Sequence, residues 1–389
     1  MMSQIKFGEF FYFLAFIATI IGCENRKAEE TAKIWKHIDV RVDTLLTLGE
    51  STSYFLIFPN YIVTDSEGRI LVGDMGQNKV LVFSQDGEFL YPIGNKGRGP
   101  AEFTQMAGLG IDSDDIVTIF DRSAQLLKTF HSSGEFIKTI DLGEMIDSRI
   151  KFGRWRGYTL MNYKLPKGDS DPLGQEYLHI YDQYERVGEG VSPRDFEDLD
   201  KRFISVLNQF QGSNLINEDI FYFAPFAYNG DIYKYQLSED NTTVQVAYGG
   251  MVKGYTHKLE RTLRIVTTKE PALFDVMRSG GGTRDYFIVY NQSLGLFQLK
   301  DGRIVHFTDI ESADGNQRTF GAELYDSGMQ PIGYAPITTR MLDANNSKKF
   351  NRRPWNIRWQ DEEDYFYFVN REIGKPIQVH VVKFNFEMD

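Results

Sequence analysis

Apolar residues in this chain come in short runs of strand length, divided by turn residues. Between residues 62 and 93 the runs are Ile70–Val72, Val80–Phe83 and Phe89–Ile93. Between them lie Asp65-Ser66-Glu67-Gly68, Asp74-Met75-Gly76-Gln77-Asn78 and Gln85-Asp86-Gly87. Asp and Asn bond back to nearby backbone and Gly accepts turn dihedrals, so these clusters predict tight turns. Several runs are apolar at successive positions, the pattern of a strand covered on both faces. The pattern also recurs. Residues 62–93 and 109–140 superimpose with Asp65 on Asp112, Ser66 on Ser113, Asp74 on Asp121, Phe83 on Phe130, and Gly87-Glu88-Phe89 on Gly134-Glu135-Phe136. A period of about 40–50 residues with about four strands per unit is the signature of propeller blades, which cover one another's flanks. The expected fold class is all-β, a six-bladed β-propeller, with seven blades as the alternative count.

Later units are more diverged. Further strands are expected within Glu176–Val187, Asp219–Leu237, Asp285–Phe307, Phe320–Ile332, Tyr365–Asn370 and Gln378–Phe386. Three segments read as insertions: Lys164–Gly174, Ser192–Gly212 and Met251–Gly282. Setting them aside leaves a chain of about six units. The second insertion predicts a short helix, since Phe196, Leu199, Phe203, Val206, Leu207 and Phe210 recur at helical spacing behind Ser192-Pro193. Ring closure commonly combines strands from both ends of the chain, and His37–Val42 is expected to pair with Val379–Phe386. The domain reading is a signal segment over 1–22, a tether over 23–33 and a propeller over 34–389.

The amino-terminal segment changes the picture of location. Phe10–Ile21 is apolar, and as a helix it would span only ~18 Å. A hydrocarbon core needs ~30 Å, so the segment suits the apolar region of a cleaved signal, with Lys6 in the positive region before it. Ile20-Ile21-Gly22-Cys23 resembles the end of a bacterial lipoprotein signal. That resemblance implies lipidation of Cys23 and a mature protein held on a membrane of the cell envelope outside the cytoplasm, with the outer membrane expected. Two or more acyl chains anchor stably. Glu24–Thr31 is charged, lacks apolar periodicity and reads as the tether. Cys23 is the only cysteine, so no internal disulfide can form.

Composition agrees with a strand-rich fold. Aromatic residues are 14% of the chain, with 30 Phe and 21 Tyr, and both favour strands. The formal net charge is −11 with no long basic run, which argues against a nucleic-acid partner.

Between the first two units runs Ile93-Gly94-Asn95-Lys96-Gly97-Arg98-Gly99-Pro100-Ala101-Glu102-Phe103. This Gly-x-x-Gly-x-Gly-Pro-x-Glu-Phe stretch, behind a lipoprotein-type cysteine, resembles the six-bladed β-propeller lipoproteins of Gram-negative bacteria, whose repeats are NHL-like. The resemblance implies a ring of six blades in the envelope and names no activity. A phosphate-binding loop would need Gly-Lys-Ser/Thr opening a helix. Here Pro100 and another strand unit follow, so Gly94, Gly97, Arg98, Gly99 and Pro100 are expected to form a crossover between blades.

The candidate chemistry is sparse. Asp74 and Asp121, like Asp65 and Asp112, are single acids beside turns, whereas calcium wants six to eight clustered oxygens. The six histidines, His37, His131, His179, His257, His306 and His380, show no zinc-ligand spacing. No Gly-x-Ser-x-Gly elbow is present, and no cofactor is expected. The most suggestive segments are Arg154-Trp155-Arg156 and Arg352-Arg353-Pro354-Trp355-Asn356-Ile357-Arg358-Trp359. Trp155, Trp355 and Trp359 could stack on sugar rings while Arg352, Arg353 and Arg358 hold acidic groups, which would suit an acidic or sulfated glycan. The competing reading is Arg-on-Trp packing inside the blades. The expected function is a lipid-anchored binding or scaffold protein whose partners are the membrane, through its lipid, and a glycan or envelope protein. The alternative is a metal-dependent propeller enzyme of lactonase or lyase type.

Overall fold

Antiparallel meanders follow one another along the chain. The computed structural model describes residues 35–49, 54–146, 148–163, 176–191, 212–240, 243–255, 263–268, 284–289, 291–311, 318–337, 355–371 and 376–387. Blade 1 is built from Pro59–Thr64, Ile70–Asp74, Lys79–Phe83 and Phe89–Ile93. Blade 2 uses Met106–Ile111, Ile116–Asp121, Leu126–His131 and Phe136–Asp141. Blade 3 uses Lys151–Trp155, Tyr158–Asn162, Leu178–Asp182 and Glu185–Gly190. Blade 4 uses Ser213–Asn217, Ile220–Ala224, Asp231–Glu239 and Val244–Lys253. Blade 5 uses Gln292–Gln298, Ile304–Glu311, Arg318–Tyr325 and Pro331–Ile337. Blade 6 uses Trp355–Gln360, Tyr365–Asn370 and Gln378–Glu387, and takes its fourth strand, Asp39–Leu48, from the start of the chain. The first strand of each blade touches the first strand of the next, and Trp355–Gln360 touches Pro59–Thr64. The ring therefore closes at six blades, and these first strands line its axis.

The closing register sets Val40 opposite Phe386, Val42 opposite Phe384 and Leu48 opposite Val379. The pairing expected of His37–Val42 thus holds from Asp39 onward. Lys36 and His37 instead run parallel to Gly333 and Tyr334 on the rim of blade 5.

Burial follows blade position. All five residues of Ile70–Asp74, a middle strand, are buried, because flanking blades cover both its faces. The outermost strand Phe136–Asp141 has no fully buried residue. The apolar core is accordingly divided among the junctions. Val63, Leu71, Val82, Met106, Val117 and Phe130 fill the wedge between blades 1 and 2. Phe307, Phe320, Phe366, Phe368 and Phe384 fill that between blades 5 and 6. Similar clusters occupy the other four junctions.

The sequence repeat is structural. Phe83 and Phe130 are both fully buried. Each follows a register shift in the third strand of its blade, and each meets the ring of Phe89 or Phe136 edge-on, at 5.8 and 5.5 Å. Asp74 accepts hydrogen bonds from the Ile57 and Phe58 amides at 2.7 and 2.9 Å. Asp121 accepts from the Thr104 and Gln105 amides at 3.0 and 3.1 Å. These acids pin the incoming connection to the second strand.

The expected insertion at Met251–Gly282 is redrawn. Met251 to Lys253 complete the fourth strand of blade 4, and Leu263–Thr268 pairs with Arg284–Val289 as a separate two-stranded unit. The helix expected over Ser192–Gly212 lies outside the described residues, except that Gly212 leads into the first strand of blade 4. The signal segment and the tether also lie outside them. No helix occurs among the described residues, so none of these is long and apolar enough to cross a membrane.

Candidate functional site

The antiparallel meander gives the ring two unlike faces. Turns from first to second strand and from third to fourth strand all lie on one face. Asp65–Arg69, Ser84–Glu88, Asp112–Ile116, His131–Glu135, Leu299–Arg303, Asp326–Gln330 and Asp361–Tyr365 close there with the same backbone hydrogen bond between first and last residue. The fourth position of this turn is left-handed, which explains Gly68, Gly87, Gly134 and Gly302 there, with φ of +74°, +86°, +96° and +86°. The longer connections, over 142–150, 163–177, 191–212, 254–291 and 338–354, join strand ends on the opposite face. Every first strand begins on that opposite face, so the starts of the axis-lining strands form a mouth there. The strand Asp39–Leu48 runs from the tight-turn face towards the mouth face, since Asp39 sits opposite Glu387, at the far end of a third strand. The chain therefore enters the ring on the side away from the mouth.

Positive side chains converge on the mouth. Lys151 opens the first strand of blade 3 and donates from Nζ to the Gly212 carbonyl at 2.7 Å, across to blade 4. Arg358 reaches in from blade 6, and Arg371 donates to the Pro59 carbonyl at 2.6 Å while its guanidinium covers the Phe58 ring. Lys151 and Arg358 keep some accessible surface, yet protein surrounds them closely. Burial, then the charges of Arg358 and Arg149, push the Lys151 ammonium down to about 8. Burial, then Arg371 and Arg149, press in the same direction on Arg358. Its guanidinium keeps its proton all the same, since arginine stays charged in proteins. Burial raises Tyr61, opposed by Arg149, Asn60, Arg358 and Arg122. The first strands of blades 1, 3 and 6 and the loops beside them thus direct like charges at one small volume. Such a lining attracts anions and repels a divalent cation.

Of the aromatic platform suggested by the sequence, the two described members, Trp155 and Trp359, do not share an open face. Trp155 ends its strand at the tight-turn face and is only 3% exposed. Its indole donates to Asp219 at 3.1 Å, lies against Tyr158 and is covered by Arg156, so no face is free for a sugar. A shallow depression of about 470 Å³ beside it is lined by Arg154, Arg156, Glu218 and Asp219, and Arg156 pairs with Asp219 there at 2.6 Å. Trp359 is half-buried, packs at the junctions with blade 1 and donates to Thr64 Oγ1 at 2.9 Å. Trp355 begins its strand at the mouth, but its side chain, with Arg352 and Arg353, lies outside the described residues. Of the three candidates with described side chains, Arg358 is the one that lies beside Lys151 and Tyr61. Arg-on-Trp packing, the competing reading, describes Trp155.

The glycine loop is a crossover. Asn95–Lys96 pairs with Glu102–Phe103, and the Glu102 carboxylate accepts from the Gly99 amide at 2.8 Å. Lys128 of blade 2, itself buried, donates to the carbonyls of Gly99 and Glu102. A side chain at Gly97 would meet that carboxylate at 2.0 Å.

One polar constellation was invisible in the sequence. Ser293 Oγ lies 2.8 Å from His306 Nε2, and His306 Nδ1 lies 2.8 Å from Glu323 Oε2. The spacing is that of a serine–histidine–carboxylate triad, which is recognised by geometry rather than by position in sequence. Its setting is different. His306 and Glu323 are fully buried, and the hydroxyls of Ser293 and Ser213 are 2.6 Å apart. Glu323 also accepts from the Tyr228 and Tyr325 hydroxyls, at 2.9 and 2.8 Å, and from the Tyr255 amide at 3.0 Å. The group is a saturated network joining blades 4 and 5, with the serine enclosed.

Residues 17–269 match a family described as a 6-bladed beta-propeller, DUF5128. The chain belongs to this family. Solved structures show the same ring as this DUF5128 propeller. A Bacteroides fragilis protein whose name describes it as exported is 10% identical, with 90% of this chain and 99% of that one covered and a TM-score of 0.54. A member of the DUF4221 family from Bacteroides vulgatus is 8% identical, with the same coverages and a TM-score of 0.54. At these identities the likeness is one of fold alone. Among curated proteins none matches the DUF5128 propeller.

Proposed function

We propose that the protein is a lipid-anchored binding protein of the cell envelope that takes an anionic ligand, of the acidic-glycan kind, into the mouth of its channel. The observation that carries this reading is the convergence of Lys151, Arg358 and Arg149 on the mouth of a chain whose net charge is −11. Concentrating positive charge against that overall balance suits recognition of a negative group. The resemblance of Ile20–Cys23 to a lipoprotein signal supports the location, as does the Bacteroides fragilis protein of the same fold whose name describes it as exported. Entry of the chain on the tight-turn face supports the orientation: an anchor at Cys23 would hold that side towards the membrane and leave the mouth turned away.

Binding is tested by presenting the chain from Glu24 onward to an array of acidic, sulfated and neutral glycans. The expected result is retention on acidic members, weakened by salt through screening. Lys151 loses its charge as pH rises through about 8, so affinity should fall between pH 7 and pH 9. Equal retention on neutral glycans, or a rise in affinity over that range, would contradict the reading. Anchoring is tested separately. Cys23→Ala should abolish incorporation of a fatty-acid analogue and leave an uncleaved or soluble protein, whereas unchanged labelling would remove the lipoprotein reading.

A further inference from the structure

Two residues at the mouth share features that no other part of the channel combines among the described residues. In blade 1 the register slips between Pro59 and Tyr61, so Asn60 is an extra residue bulging from the first strand. In blade 6 it slips between Ile357 and Trp359, so Arg358 bulges likewise. A bulge re-aims the side chain it carries and is over-represented beside functional sites. The two strands are neighbours in the ring. Asn60 is 2% exposed, yet neither Oδ1 nor Nδ2 makes a well-formed hydrogen bond, the Tyr61 hydroxyl being the polar group beside it. Arg358 Nε is likewise buried and unbonded, and the hydroxyl of Tyr61 next to the first bulge makes no well-formed hydrogen bond beyond its contact with Asn60. Buried polar groups are almost always paired, because leaving one unpaired forfeits its hydration without return. Here the unpaired groups sit side by side at the point where the positive charge is gathered.

We infer that Asn60, Tyr61 and Arg358 form a built pocket for a single oxyanion, a carboxylate, sulfate or phosphate group, presented by the ligand at the channel mouth. Arg358 offers a planar fork of donors, the geometry that matches an oxyanion in two parallel bonds. Asn60 Nδ2 and the Tyr61 hydroxyl supply neutral donors from the adjacent blade, and Lys151 adds a point charge from across the channel. The inference rests on the reading of the mouth as an anion site and adds the residues and the group they grip.

The test uses the chain from Glu24 onward, titrated with sodium sulfate, phosphate and acetate at constant ionic strength, followed by calorimetry and by melting temperature. One anion per chain should bind and raise the melting temperature, and the most effective salt identifies the group. Asn60→Ala and Arg358→Gln should each weaken that binding at least tenfold. Arg358→Met should melt at or above the wild type in anion-free buffer, because it removes an uncompensated buried charge, and should lose the anion-dependent rise. That variant keeps the test decisive should Asn60→Ala fold poorly. Absence of anion binding to the wild type, or unchanged affinity in Arg358→Gln and Arg358→Met, would overturn the pocket. If acidic glycans bind while these variants leave that binding unaltered, the pocket fails and the binding function stands. If the small anions bind through Arg358 while no acidic glycan does, the pocket stands and the glycan reading fails.

Discussion

Phe83→Ala and Phe130→Ala will each destabilise the ring by about 3–5 kcal/mol, the range for truncating a fully buried phenylalanine. Each ring fills the wedge towards the preceding blade: Phe83 that between blades 6 and 1, Phe130 that between blades 1 and 2. Interiors are packed too tightly to collapse around a missing ring, and the neighbouring Phe89 and Phe136 would each lose an edge-on partner. The residues act in different wedges, so the two losses should be close to additive. Denaturant titration of the single and double variants checks this. A loss below about 1 kcal/mol at either site would show that the two positions are not equivalent in the repeat.

Glu323→Ala should cost a similar amount, about 3–5 kcal/mol, the scale for breaking a buried ionic or charge-assisted network by removing one partner. The alanine would strand His306, the hydroxyls of Tyr228 and Tyr325 and the Tyr255 amide in a place that water cannot readily reach. Glu323→Gln keeps the shape and should cost less, although its amide hydrogens would oppose donors that now point at an acceptor. The same network makes a chemical prediction. A fluorophosphonate directed at activated serines should leave Ser293 unmodified, because its hydroxyl is enclosed and shared with Ser213. Labelling of Ser293, or loss of esterase activity in a Glu323→Gln protein of unchanged stability, would make the triad catalytic.

What the sequence disclosed and what it hid follow from range. Turn chemistry and strand burial are local, so Asp74 with Asp121 and Phe83 with Phe130 announced the blade before any coordinates. The closing pair was legible because Asp39–Leu48 and Gln378–Glu387 are each complete strands in need of a partner. The cationic mouth was hidden because it is made by residues from remote stretches, Asn60 and Tyr61, Arg149 and Lys151, Arg358 and Arg371, that only the ring brings together. A bulge is a property of paired register and leaves no mark in one strand alone, so nothing distinguished Arg358 from the arginines around it. The Arg154-Trp155-Arg156 segment was ambiguous for a related reason. Trp155 beside Arg154 and Arg156 is the same string whether the indole faces a ligand or the neighbouring blade, and Asp219, which decides the matter, lies in blade 4. Ser293, His306 and Glu323 likewise sit on three successive strands at spacings that match no linear motif.

The seam in blade 6 also bears on how the protein is made. Its hydrogen-bonded partners are separated by more than 300 positions along the chain, as for Thr47 with His380 and Asp43 with Asn385. Contacts so distant are slow to form, because the entropy of closing the intervening loop is lost before any bond repays it. The strand Asp39–Leu48 emerges early and cannot dock until Gln378–Glu387 has been made, so during synthesis it must wait as an unpaired, aggregation-prone edge. With five blades assembled and the sixth lacking its outer strand, the ring is an open horseshoe. The step that closes it into a stable ring is the one that also fixes the amino-terminal end of the described chain in place.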